Sequence, residues 1–356
     1  MRDLSLLGFG PFFERQLPSG ETAIPARIAA EHRSLYEIWT TKGEGRARLS
    51  GRLRHSLADE RLPCAGDWVL LRNEPSAAGA AVILRLLNRR SEFTRGAAGR
   101  GSAAQAVAAN IDLVFAVCGL DADYNLHRIE RFAVRIWAGG AQPVVVLNKA
   151  DVCEDASRRA AEVTRRCPGV PVLVTSARLH EGIKALRASI RDGETAAFVG
   201  SSGVGKSSLI NALLSENRMR TGEVREGDGR GRHVTTHRQL LLLPQGGLLL
   251  DTPGMRELQL IDEEGLAAVF EDIAELSRSC RFRDCRHESE PGCAVQEAVR
   301  QGKIPAERLD HYRKLEREAE AGARRRDVRL HRQDERAWGK LCKETLRLHR
   351  RTKGSD

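Results

Sequence analysis

The most constraining feature of this chain is the order of four short loops. Asn148-Lys149-Ala150-Asp151 closes the apolar run Val144–Leu147, and Thr175-Ser176-Ala177 closes Val172–Val174. Only then comes the glycine-rich Gly200-Ser201-Ser202-Gly203-Val204-Gly205-Lys206-Ser207-Ser208, set between the apolar run Thr195–Val199 and a helical run from Leu209. Asp251-Thr252-Pro253-Gly254 follows 45 residues beyond Lys206. A phosphate-binding loop ordinarily precedes the loops that read a base. Here it follows them, which predicts a circularly permuted domain.

The glycine-rich loop has every fixed position of G-x4-GK[ST], in the strand–loop–helix context that the motif requires. Glycines at 200, 203 and 205 let successive backbone N–H groups turn toward phosphates, and the helix N-terminus adds partial positive charge. Lys206 is expected to reach the β- and γ-phosphates and to serve catalysis, and the Ser207 hydroxyl to ligate Mg²⁺. Asp251 follows the apolar run 247–250 and is placed to hold the magnesium through water, while Gly254 offers its N–H to the γ-phosphate.

The base is expected to be guanine. A carboxylate at Asp151 accepts from the guanine N1–H and exocyclic amine, whereas adenine would leave it unpaired. Lys149 would lie along the base, Asn148 would tie this loop to the phosphate loop, and Ala177, after Ser176, would turn its N–H to the guanine oxygen.

Between Asn217 and Thr236 the chain is glycine-rich and charged, as expected of a switch ordered by a γ-phosphate and Mg²⁺. Thr235 is the first choice for the metal and Thr236 the second. Where Ras-type enzymes carry a glutamine to orient water, this chain has Met255, so intrinsic hydrolysis should be slow. His233 is either a surface histidine or the group that positions the water.

Cys280, Cys285, His287 and Cys293 are spaced C-x4-C-x-H-x5-C. Three thiolates and an imidazole suit one tetrahedral, structural Zn²⁺. Asp284 and Glu290 read as surface acids. Cys118 and Cys167 read as core residues, and Cys64, Cys153 and Cys342 show no partner spacing.

With 356 residues, 41% of them hydrophobic, the chain suits two or three packed domains. No apolar run is long enough to span a membrane and no signal peptide is evident, so the chain reads as cytoplasmic, without a membrane partner, and as a monomer. Residues 1–95 carry short alternating runs, from Ala26-Arg27-Ile28 to Ala81–Leu84, that fit an OB-fold-like β-barrel. A basic glycine-rich stretch, 95–102, separates them from an α/β domain at 105–262. Residues 263–356 should be mainly helical and zinc-binding. From residue 299 onward 18 Lys and Arg face 10 Asp and Glu, either a solvated surface or a tail for a polyanion such as nucleic acid.

These pieces together resemble, over essentially the whole chain, the family of the ribosome small subunit-dependent GTPase A, also called RsgA or YjeQ. The resemblance rests on Asn148–Asp151 before Gly200–Ser208, on Gly231-Arg232-His233 with Thr235-Thr236, on Asp251–Gly254, on Cys280 to Cys293 and on Gly66-Asp67-Trp68-Val69. It implies a multidomain protein: an N-terminal β-barrel (OB-fold), a central α/β circularly permuted P-loop GTPase and a C-terminal mainly α zinc-binding domain. It implies docking on the 30S ribosomal subunit and its rRNA, action late in subunit assembly, and GTP hydrolysis to GDP stimulated by the subunit. It also gives His233 a role in hydrolysis. Val234 departs from the family, which usually has a further threonine there. A general RNA-binding protein with a regulatory nucleotide site is the competing reading, and a phosphate-loop ATPase or kinase-like transferase a third.

Overall fold

The structure is a computed structural model that describes residues 3–18, 23–32, 35–57, 62–76, 79–95, 105–215, 238–251 and 263–324. Its first strands are β1 (Ile24–His32), β2 (Leu35–Thr40), β3 (Gly43–Leu49), β4 (Trp68–Leu71) and β5 (Ala81–Leu86). They pair in the order β1-β2-β3-β5-β4, and β4 returns to β1 to close a five-stranded barrel. Alternation explains closure: Ala26 and Ile28, Tyr36 and Ile38, Val69 and Leu71, Ala81 and Ile83 all turn inward at period two and bury one another. Closure also removes the exposed edges that a small sheet would otherwise present. Two short helices flank these strands, α1 (Pro11–Glu14) before β1 and α2 (Gly51–Ser56) between β3 and β4.

A two-stranded ribbon, β6 (Glu92–Arg95) with β7 (Gln105–Ala109), leads into the α/β part. There β8 (Leu113–Gly119), β9 (Gln142–Asn148), β10 (Val172–Val174), β11 (Thr195–Gly200), β12 (Gln239–Leu242) and β13 (Leu248–Asp251) pair in the order β10-β9-β8-β11-β13-β12. All of these pairings are parallel except that of β12 with β13. Uninterrupted apolar runs such as Leu113–Cys118 are what a sheet covered on both faces demands. Helices α3 (Leu126–Ala138), α4 (Ala156–Arg166), α5 (Ile183–Ala188) and α6 (Lys206–Leu214) connect the strands. Asn125 caps α3 by accepting from the Arg128 N–H at 2.9 Å.

Barrel and sheet are continuous. Ala30 of β1 pairs with Gln239 of β12, so the barrel prolongs the edge of the α/β sheet. One core cluster spans both, running from Phe9, Phe13 and Trp68 to Phe93, Val114 and Leu250. Inside this junction the buried Arg27 donates to the Leu7 and Asn110 carbonyls and to Thr195 Oγ1, with 2.7 Å to the last. Burial lowers its pKa to about 10, so it stays charged at neutral pH.

Toward the C-terminus lie α7 (Glu263–Val269), α8 (Glu271–Ser277), α9 (Ala294–Arg300) and a helix over 306–324. Leu266, Val269, Phe270, Ile273, Val295 and Leu315 pack with Ile129 and Ala133 of α3 and Val163 of α4. In the middle of that interface stands Glu130, with no exposed surface. Arg308 reaches it at 2.7 Å, Arg166 at 2.8 Å and His311 at 2.8 Å. Burial alone would raise the Glu130 pKa, but these partners outweigh it and hold the carboxyl below its ordinary value.

Candidate nucleotide and metal sites

Parallel strands bring their carboxyl ends to one edge, and the loops singled out from sequence lie there. β9 delivers Asn148, β10 leads to Thr175–Ala177, β11 to Gly200 and β13 to Asp251. The phosphate loop has the glycine geometry that its motif requires: φ is +146° at Gly200, +78° at Gly203 and +96° at Gly205. At Gly205 the reason is also steric, since an added Cβ would fall 2.2 Å from Asn148 Nδ2. The helix begins at Lys206, three residues earlier than the apolar run from Leu209 suggests. Lys206 Nζ donates to the Gly200 carbonyl at 2.8 Å and to that of Ser201 at 2.5 Å. Ser207 and Ser208 follow in the first turn of α6, half-buried, while Ser202 and Gly203 are exposed at the loop crest and Val204 is buried beneath it.

Asn148 joins three loops. Only 2% exposed, it donates from Nδ2 to the Val204 carbonyl at 2.8 Å, and its Oδ1 accepts from Thr175 Oγ1 and from the Ala177 N–H, both at 3.1 Å. The structure therefore gives the Ala177 N–H to Asn148, whereas the sequence reading turned it to the base. Asp151 is exposed, and its Oδ1 accepts from the buried Ser176 hydroxyl at 2.6 Å, which fixes the direction of the carboxylate. Lys149 has the left-handed φ of +65°, and its ammonium lies 2.6 Å from Asp121 Oδ2. Asp121, just past the end of β8, escaped the sequence reading. The rule that ligand groups gather after parallel strands would have found it.

Asp251 is half-buried, and burial raises its pKa to about 6. No basic side chain pairs with it among the described residues. A carboxylate in that state, beside a loop that offers a serine hydroxyl, suits a hard divalent cation such as Mg²⁺. Gly254, His233, Thr235 and Thr236 lie outside the described residues.

Cys280, Cys285, His287 and Cys293 converge, with their ligand atoms all within 4.8 Å of one another. His287 Nδ1 is 3.6 Å from Cys280 Sγ and 3.4 Å from Cys293 Sγ, and those two sulfurs are 3.9 Å apart. A tetrahedron with metal–sulfur arms of about 2.3 Å has edges of about 3.8 Å, so the donors fit Zn²⁺, and the sulfurs are too far apart for a disulfide. Burial lowers the His287 pKa, which favours the neutral, ligating imidazole. The Gln296 N–H donates to Cys293 Sγ at 3.4 Å, as an outer partner of a thiolate does. Glu290 does more than a surface acid: it accepts from the N–H groups of Arg286, Glu288 and Ser289, which hold its pKa down at about 2 and shape the ligand loop.

Comparison with known proteins places these sites in a family. The RsgA GTPase family model matches residues 86–261. The Small ribosomal subunit biogenesis GTPase RsgA of Opitutus terrae is 45% identical over 350 residues, 95% of each chain. A protein named Small ribosomal subunit biogenesis GTPase RsgA 1, from Listeria innocua, is 39% identical, covering 98% of this chain and 99% of its own. Among solved structures, YjeQ from Thermotoga maritima superposes with a TM-score of 0.65 at 29% identity, covering 82% of this chain and 97% of that one. YloQ, described as a circularly permuted GTPase, gives a TM-score of 0.61 at 25% identity, covering 86% and 98%. The barrel, the permuted order of the nucleotide loops and this similarity along nearly the whole chain agree: the chain belongs to the RsgA GTPase family, whose members hydrolyse GTP.

Proposed function

We propose that this GTPase acts in late maturation of the small (30S) ribosomal subunit and that the subunit stimulates its turnover. The observation that carries the proposal is 39–45% identity, over nearly the full chain, to proteins named for small ribosomal subunit biogenesis. Residues 1–95, 105–262 and 263–356 are assigned as barrel, GTPase and zinc-binding domains, working as a cytoplasmic monomer. The basic stretch from residue 299, apart from the buried Arg308, is assigned to a polyanion such as rRNA.

Within the site, Asp151 selects guanine, with Lys149 and Ala150 beside the base and Ser176 and Ala177 behind it. Backbone N–H groups of 200–208 and the Lys206 ammonium hold the phosphates and take up charge that develops on the γ-phosphoryl oxygens. Mg²⁺, when bound, would supply further positive charge to the phosphates. Ser207 and Thr235, or Thr236, would hold it directly and Asp251 through water. Gly254 donates to the γ-phosphate. Met255 offers no group to the attacking water, so His233 is assigned to position it, which leaves hydrolysis slow until the switch is ordered. Cys280, Cys285, His287 and Cys293 hold one structural Zn²⁺.

GTP turnover measured with purified 30S and 50S subunits tests this reading. Turnover should rise with 30S alone and vanish in Lys206→Ala. Equal stimulation by 50S, or none by 30S, contradicts it.

A further inference from the structure

We propose that Asp121 is a positioning residue for the guanine site, fixing the Lys149 ammonium so that the lysine stem forms a preformed wall for the base. The inference rests on the assignment of 148–151 as the base-reading loop. Lys149 is constrained at both ends. Its backbone holds the left-handed conformation, uncommon for a lysine, and the next N–H, from Ala150, is tied to the Thr175 carbonyl at 3.1 Å. At the far end the ammonium meets Asp121 Oδ2 at 2.6 Å. A four-carbon stem anchored twice loses most of its rotamer freedom before any nucleotide arrives, so binding need not restrict it.

Asp121 is itself well fixed. Its Oδ1 accepts from the Asp123 N–H at 3.0 Å, and its carbonyl accepts from Tyr124 at 3.1 Å. The Leu120 N–H donates to the Asn148 carbonyl at 2.8 Å, which joins this turn to the base-reading loop. Space for the carboxylate exists because residue 119 is glycine: a Cβ there would fall 2.5 Å from Asp121 Oδ1. The Asp121 pKa is lowered, burial being outweighed by the Lys149 hydrogen bond, so the pair is ionic at neutral pH. Both side chains are about one-third exposed, at 33% and 35%. Such a pair contributes little to folding, and its effect should appear in binding.

The test is a double-mutant cycle on GDP affinity with Asp121→Asn, Lys149→Ala and both together, in the full chain. Asp121→Asn keeps an oxygen for the Asp123 N–H and so preserves the turn. It should weaken GDP binding about fivefold, the size expected of a modest ion pair, with unchanged melting temperature and kcat. Asp121→Glu should recover part of that loss. In the Lys149→Ala background Asp121→Asn should have no further effect. Wild-type affinity in Asp121→Asn, or losses that multiply in the double variant, would overturn the inference while leaving the site assignment standing. A wild-type chain that binds no GDP would overturn both.

Discussion

The loops around Asn148 and the cluster around His287 are both small polar sites, yet different forces close them. Asn148 satisfies the Val204 carbonyl, the Thr175 hydroxyl and the Ala177 N–H by itself, with a buried parallel sheet behind it. Its shape is set by groups of the chain itself. In the other site the Cys280 and Cys293 sulfurs and the His287 ring nitrogen approach to between 3.4 and 3.9 Å, Cys285 lies within 4.8 Å of them, and thiols make only weak hydrogen bonds. Three soft thiolates and an imidazole that converge in this way are joined by a cation rather than by one another. A site closed by neutral hydrogen bonds should survive loss of its ligand, whereas a site closed by metal should not.

The largest effect is expected where the metal does the closing. Cys285→Ala, or chelation, should abolish zinc retention and unfold the 280–293 loop with the helices packed on it. Structural zinc contributes about 10 kcal/mol or more in small domains. Metal analysis together with limited proteolysis reads this out, and an intact, zinc-free C-terminal region would remove the contrast.

Next comes the interface between the two regions. Arg308→Ala strips Glu130 of one charged partner and should cost about 3–5 kcal/mol in urea unfolding, because a buried charge is left under-compensated. Asn148→Ala orphans three polar groups and should weaken GDP binding by about 2–3 kcal/mol, or roughly 30- to 150-fold, with zinc retained. If Asn148→Ala unfolds the chain instead, the loops are not independently supported by the sheet.

The smallest effect concerns pH. Glu130 has a folded pKa below its ordinary 4.5, so its contribution to stability is full above that value. It is lost as pH falls through the lower folded pKa. Between pH 5 and 8 the interface should be insensitive to this group, and a stability step within that range assignable to Glu130 would contradict the geometry.

Much of this was legible in the sequence because the chemistry forces particular residues into contiguous loops. Phosphate-facing N–H groups need glycine at positive φ, so Gly200, Gly203 and Gly205 stand out, as do four metal donors within fourteen residues, 280–293. Strand alternation likewise exposed the barrel. Groups that meet only in three dimensions stayed hidden. Glu130 and Arg308 are 178 positions apart, Arg27 and Thr195 are 168 apart, and neither pair leaves a local pattern. The Asp121–Lys149 pair spans 28 positions and crosses two strand ends. Glu290 looked like a surface acid because its partners are backbone N–H groups, which have no sequence signature.

The central claim is that this permuted set of loops selects guanine through Asp151. Its direct test is displacement by GTP, ATP and XTP of labelled GDP from the wild-type chain and of labelled XDP from Asp151→Asn. The wild type should yield to GTP and not to ATP. Asp151→Asn should lose GTP and gain XTP, because an amide N–H can donate to the xanthine 2-oxo group that replaces the guanine amine. Equal displacement by ATP, or an unchanged preference for GTP in Asp151→Asn, would contradict the account.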